Sequence, residues 1–163
     1  MCFSGTATIR EVPEEEPMIG YRRFKVSDDG SGLESIYWGS PNWLGGSVKA
    51  NFVPGVENPY GLHAYLTPDG ARQLIRRDDA PVLAEVEAWG QVAVHDDGFR
   101  AEHMRIKRMT TTNYEPLTPE RVAEKYGRDH LTACRDCRRG IRRDREIAAI
   151  LARFPALEEP VTV

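Results

Sequence analysis

Apolar and polar residues alternate with a period of two in several segments between Gly20 and Met109, and helical spacing takes over after Thr118. In Gly20–Ser27, Arg22, Phe24 and Val26 fall on one face of a predicted strand, with Tyr21, Arg23 and Lys25 on the other. The turn Asp28-Asp-Gly-Ser-Gly32 leads into a second strand, Leu33–Trp38, and the pair reads as a hairpin. Residues 39–60 are rich in Gly, Pro and Asn yet contain Trp43, Leu44 and Phe52, so they predict a long loop packed on the body. Gly61–Leu66 alternates again, with Leu62, Ala64 and Leu66 on one side and His63 and Tyr65 on the other.

Thr67 then predicts an N-cap, Pro68 the first helical position, and Ala71, Leu74 and Ile75 an apolar stripe that ends at Asp78-Asp79. Pro81–Trp89 is the next strand, Gly90 a bulge, and Gln91–His95 its continuation. Asp96-Asp-Gly98 turns the chain. Phe99–Met109 returns, with Met104 and Ile106 expected on the same face as Arg100 and Glu102. Thr118-Pro-Glu caps a short helix carrying Val122, Ala123 and Tyr126, which Gly127 stops. A second helix is expected from Asp129 to Phe154. Gly140 in its middle costs about 1 kcal/mol relative to Ala, enough to break it in two. The expected class is α+β: a mainly antiparallel sheet with one packed helix over residues 1–113, and a helical, arginine-rich C-terminal extension over 114–163.

Composition narrows the function classes. Of the 163 residues 40% are hydrophobic and 29% charged, the balance of a chain that folds around a core. The net charge of −3 gives no general attraction to nucleic acid or membranes, so such a partner must meet a local patch. No apolar run approaches a membrane span, and the opening MCFSGTATIREVPEEEP lacks the pattern of a signal peptide. Three cysteines, two of them in Cys134-x-x-Cys137, suit no secreted disulfide framework, so a cytoplasmic location is expected, that of the bacterial host if the gene belongs to a phage. No membrane partner is expected.

Several constellations bear on chemistry. Cys134 and Cys137, with His130 four residues earlier and Cys2 as a further donor, invite a zinc reading. One Cys-x-x-Cys supplies half a tetrahedron and no second pair exists, so no cofactor is expected. Cys2 follows the initiator Met in the manner of an N-terminal nucleophile, but nothing else in the chain supports that role. Arg135, Arg138, Arg139 and Arg142 recur at helical spacing, with Arg143 and Arg145 nearby, and a helix so furnished can grip anions or nucleic acid. The interleaved Asp136, Asp144 and Glu146, and the acidic arm Glu14–Glu16, offer internal partners instead. On the sheet, His63 and Tyr65 face away from the apolar row while Arg22, Arg100 and Glu102 align with apolar residues. With Thr67 and the loop tryptophans Trp38 and Trp43 they predict a polar pocket for a small anionic or nucleotide-like ligand.

Gly61-Leu-His-Ala-Tyr, Ala84-Glu-Val-Glu-Ala-Trp-Gly-Gln-Val, His95-Asp-Asp-Gly-Phe-Arg-Ala-Glu102 and Glu124-Lys-Tyr-Gly together resemble a family of small bacteriophage and actinobacterial proteins that has no settled activity. The resemblance covers about Gly20 to Gly127. A fainter one is to the ADP-ribosyltransferase fold, which implies Arg22 on the phosphates of NAD, Tyr65 and Thr67 at the nicotinamide, and Glu102 on a ribose hydroxyl. No nucleophile–base pair, phosphate loop or complete metal site assembles from the residues themselves. The leading expectation is a phage-type accessory protein that binds a host or phage partner or a small anionic ligand without catalysis. An ADP-ribosyltransferase-like enzyme and a virion component are the alternatives.

Overall fold

A computed structural model describes residues 3, 5–35, 43–51, 61–73, 80–126 and 135–160. Its framework is one long hairpin, β6 (Val82–Val94) and β7 (Gly98–Thr111), joined by the turn at Asp96-Asp97 and closed where the His95 N–H donates to the Gly98 carbonyl at 2.8 Å. Strands β1 (Thr8–Val12) and β2 (Met18–Val26) lie end to end along the free edge of β6. Strands β4 (Val48–Lys49) and β5 (Leu62–Tyr65) lie end to end along the free edge of β7. Tyr21 of β2 pairs with Tyr65 of β5, so β6, β2, β5 and β7 close on themselves into a small antiparallel barrel. β3 (Leu33–Ser35) pairs with β2 across the Asp28–Gly32 turn, the hairpin the sequence predicts. The α+β class, with its mainly antiparallel sheet, packed helix and C-terminal helix, is what the sequence predicts.

Closure needs small residues where walls approach. A Cβ on Gly20 would lie 2.6 Å from the Phe99 ring and 2.8 Å from Ala64, so only glycine fits that inward position. The interior alternates such gaps with bulk: Phe24, Phe99, Trp43 and Met104 are buried among Ala64, Ala84, Ala88 and Ala101.

Two register shifts bend the long hairpin. One lies between Trp89 and Val92, where Gly90 has φ +84°, a conformation that glycine adopts without strain. The other lies between Glu85 and Val86. Each changes which residues of β7 point inward: Phe99 and Ala101, then Met104 and Ile106, then Met109. Met104 and Ile106 therefore share a face with Phe99 and Ala101, and not with Arg100 and Glu102 as simple alternation predicts. A period of two holds only while the ladder is unbroken.

Helix α1 (Pro68–Arg72) starts where expected: the Thr67 Oγ1 accepts from the Gly70 N–H at 3.1 Å, and Ala71 is buried. Leu74 and Ile75 lie outside the described residues. Helix α2 (Pro119–Tyr126) is capped by Thr118, whose Oγ1 accepts from the Arg121 N–H at 3.2 Å. Helix α3 (Arg135–Leu151) runs unbroken through Gly140. Its last two turns carry Ile147 and Ile150 into the same apolar cluster as the sheet. Beyond it Met109 exchanges backbone hydrogen bonds with Pro155 and Leu157, each at 3.0 Å. Residue 113 is thus a boundary in sequence character, while the packing continues across it. No helix among the described residues is long and apolar enough to cross a membrane.

Candidate functional site

The side chains singled out on the sheet separate onto its two faces. Arg22 points into the barrel with Gly20 and Phe24 and is only 8% exposed. Its guanidinium donates to the Ser35 hydroxyl at 2.8 Å and to the His63 carbonyl at 3.1 Å. It also lies 3.9 Å from the Met104 sulfur and over the Trp43 and Phe24 rings, at 4.3 and 4.9 Å. A cation removed from water needs acceptors and cover, and this nest supplies acceptors to the two terminal nitrogens and aromatic rings to the guanidinium. Trp43 arrives on a short 3-10 helix, Trp43–Gly45, as the packed loop predicts. Trp38 lies outside the described residues.

His63 and Tyr65 project to the outer face, since Leu62 and Ala64, which alternate with them, are buried inward. Arg100 is the cross-strand neighbour of His63 on that face. Phe3 covers this patch: its ring lies 5.6 Å from His63, 5.3 Å edge-on from Tyr65 and 5.6 Å from His95. Burial pushes the His63 imidazole pKa down to about 4, and the positive charges of Arg22 and Arg100 push the same way, so His63 is neutral near pH 7. Thr67 caps α1. Glu102 also faces outward, 3.4 Å from the His103 ring and against Gly90. Hence Arg22 and Trp43 meet inside, and His63, Tyr65 and Arg100 meet outside. Arg22, Tyr65 and Glu102, the triplet implied by the transferase resemblance, do not share a face.

The acidic arm does not reach the arginine-rich helix. Glu14 instead binds Arg105 at 3.1 Å, and Arg105 also holds Glu87 at 2.7 Å while lying over the Trp89 ring at 4.7 Å. Glu14 lies in the short turn between β1 and β2, within reach of Arg105 on the same sheet.

On α3 the inward side holds Ile141, Ile147 and Ala148, while Asp144 accepts from Lys125 at 2.9 Å and from the Tyr126 hydroxyl at 2.7 Å. The outward side carries Arg135, Arg138, Arg139, Arg142, Arg143 and Arg145, all exposed. At about 100° per residue they span an arc of roughly 160°. Arg142 pairs with Glu146 at 3.1 Å, the turn-apart pairing that the interleaved acids suggest. Among the described residues the side chains of the other five make no hydrogen bond or ion pair. Arg139, Arg142 and Arg143 line a cleft of about 360 Å³ against Lys25 of β2 and the Ser27-Asp28 turn. Lys25 is a member of this patch that sequence spacing does not reveal, because β2 and α3 are far apart in the chain. Cys137 falls within α3; Cys2, His130 and Cys134 of the zinc reading lie outside the described residues.

Sequence reasoning also missed a groove of about 1030 Å³ between the end of β7 and the three helices. Its cations include Arg72 and Lys125, which already hold Asp69 at 3.5 Å and Asp144 at 2.9 Å. Opposite charges in near balance leave it no clear polarity. No protein-family model matches the chain, and neither does any curated protein or solved structure.

Proposed function

We propose that this protein is a non-catalytic binding protein that engages an anionic partner through the outer face of α3. One observation carries the reading: Arg135, Arg138, Arg139, Arg143 and Arg145 stand exposed on one side of a helix with no partner among the described residues. Like charges at helical spacing repel and destabilise the helix by a few tenths of a kcal/mol per pair, so the arrangement works against folding unless an anion relieves it. Of the carboxylates near this face, Glu146 pairs with Arg142 and leaves the other five arginines in excess. The resemblance to bacteriophage proteins suits an accessory role of this kind, and the neutral, Phe3-covered His63 and the enclosed Arg22 suit structural duties better than turnover.

Titration with inorganic polyphosphate, followed by calorimetry, tests the reading. Saturable binding that weakens with added salt and is lost in Arg139→Glu/Arg143→Glu is expected. Binding that ignores the double reversal, or no binding at low salt, contradicts it.

A further inference from the structure

Resting on the proposed anionic-partner reading, we infer that the partner is the phosphate backbone of a nucleic-acid duplex, gripped without regard to base sequence. Three features of α3 select this class. First, the outer face has no apolar anchor. Protein–protein interfaces draw their energy from buried aromatic or aliphatic side chains at the centre of a contact, and here the outer side holds the arginines with Asp136, the half-buried Glu146 and Ala149. A phosphate backbone needs only cations. Second, Arg135–Leu151 contains no aromatic residue, so the face has nothing on which unpaired bases can stack, the usual basis of single-strand binding. Third, charge is segregated. The helix has six arginines against three carboxylates, a net of +3, which leaves −6 on the rest of a chain whose total is −3. A polyanion therefore attracts this face and repels the remainder, which orients the molecule helix-first.

The geometry fits the task. Arg135 to Arg145 spans about 15 Å along the axis at 1.5 Å per residue, a length over which a duplex presents several phosphates. Arg139 and Arg143 stand one turn apart, and with Lys25, which also holds Glu34 at 3.4 Å, they line the cleft of about 360 Å³ beside the hairpin turn, where Asp28 and Glu146 are the two carboxylates. Guanidinium forks bind phosphate oxygens in pairs, which lysine cannot do.

Fluorescence anisotropy of the full chain with a labelled mixed-sequence DNA duplex of about 20 base pairs tests the inference, with the unpaired strand and polyglutamate as separate arms. Duplex binding is expected to fall steeply between about 50 and 200 mM salt, with a log–log slope near −4 for four to five neutralised phosphates. Arg139→Glu/Arg143→Glu should weaken it by about tenfold or more without lowering the melting temperature, and Arg139→Lys/Arg143→Lys, which keeps the charge and loses the fork, should weaken it less. Duplexes of different sequence should bind alike. Polyglutamate binding through the same arginines without duplex binding overturns this inference and leaves the anionic-partner reading standing. A single strand bound as tightly as the duplex overturns the duplex preference. Failure of every polyanion to bind removes both readings.

Discussion

Arg22 and the arginines of α3 are the same side chain put to opposite uses. Arg22 is enclosed: a serine hydroxyl, a backbone carbonyl, a methionine sulfur and two aromatic rings surround its guanidinium inside the barrel. Arg135, Arg138, Arg139, Arg143 and Arg145 are open to solvent with no partner among the described residues. The buried cation stabilises the fold through many contacts and offers an incoming molecule little surface. The exposed ones contribute almost nothing to stability and are available. A charge count alone would weigh the two groups equally, whereas their surroundings distinguish an enclosed cation from exposed ones.

That division predicts a graded series of effects. Arg22→Met keeps the stem and removes the guanidinium, leaving the Ser35 hydroxyl and the His63 carbonyl short of a donor. The expected loss is about 3 kcal/mol, read by denaturant unfolding, and anion binding by the folded fraction should be unchanged. Gly20→Ala, next to Arg22 on the inner wall, forces a methyl group against Phe99 and Ala64 and should cost about 2 kcal/mol. A neutral effect there would mean that the barrel is wider than its contacts indicate.

His63 links the wall to pH. Its folded-state pKa, lowered to about 4 from 6.5, means that the unfolded chain binds more protons between those values. Stability from this group is complete above about pH 6.5 and is lost as the pH falls through 4, by an amount on the order of 3 kcal/mol. His63→Gln should flatten that part of the stability profile; an unchanged slope contradicts the assignment. On the inner side of α3, Asp144→Ala removes the acceptor shared by Lys125 and Tyr126, at a cost of about 1 kcal/mol, and lowers the melting temperature by a few degrees. On its outer side, Arg139→Ala/Arg143→Ala should shift stability by less than about 0.5 kcal/mol.

Much of this architecture is legible in the residues, and the failures are instructive. The Thr67 cap, the Gly90 bulge, the Asp96-Asp97 turn and the Thr118 cap are local devices, decided by neighbours a few positions away, and each appears where its residues predict. The inward face of β7 is misread beyond Ala101 because two register shifts, set by pairing with β6, reverse the alternation. Closure of the barrel through Tyr21 and Tyr65 leaves no periodic trace, since a single cross-strand pair makes it. The site divides in the same way. The arginine stripe follows from helical spacing within one element, while the company kept by Arg22, the cover of Phe3 over His63, and Lys25 beside α3 depend on chain segments distant in sequence. Glu14 finds Arg105 and not α3 for the same reason.

The most direct test of the division between enclosed and available arginines is a side-chain NMR titration, following the arginine Nε–H resonances as polyphosphate is added. The resonances of Arg135, Arg138, Arg139, Arg143 and Arg145 should move together and saturate, while that of Arg22 stays fixed. A moving Arg22 resonance, or a silent set on α3, contradicts the account.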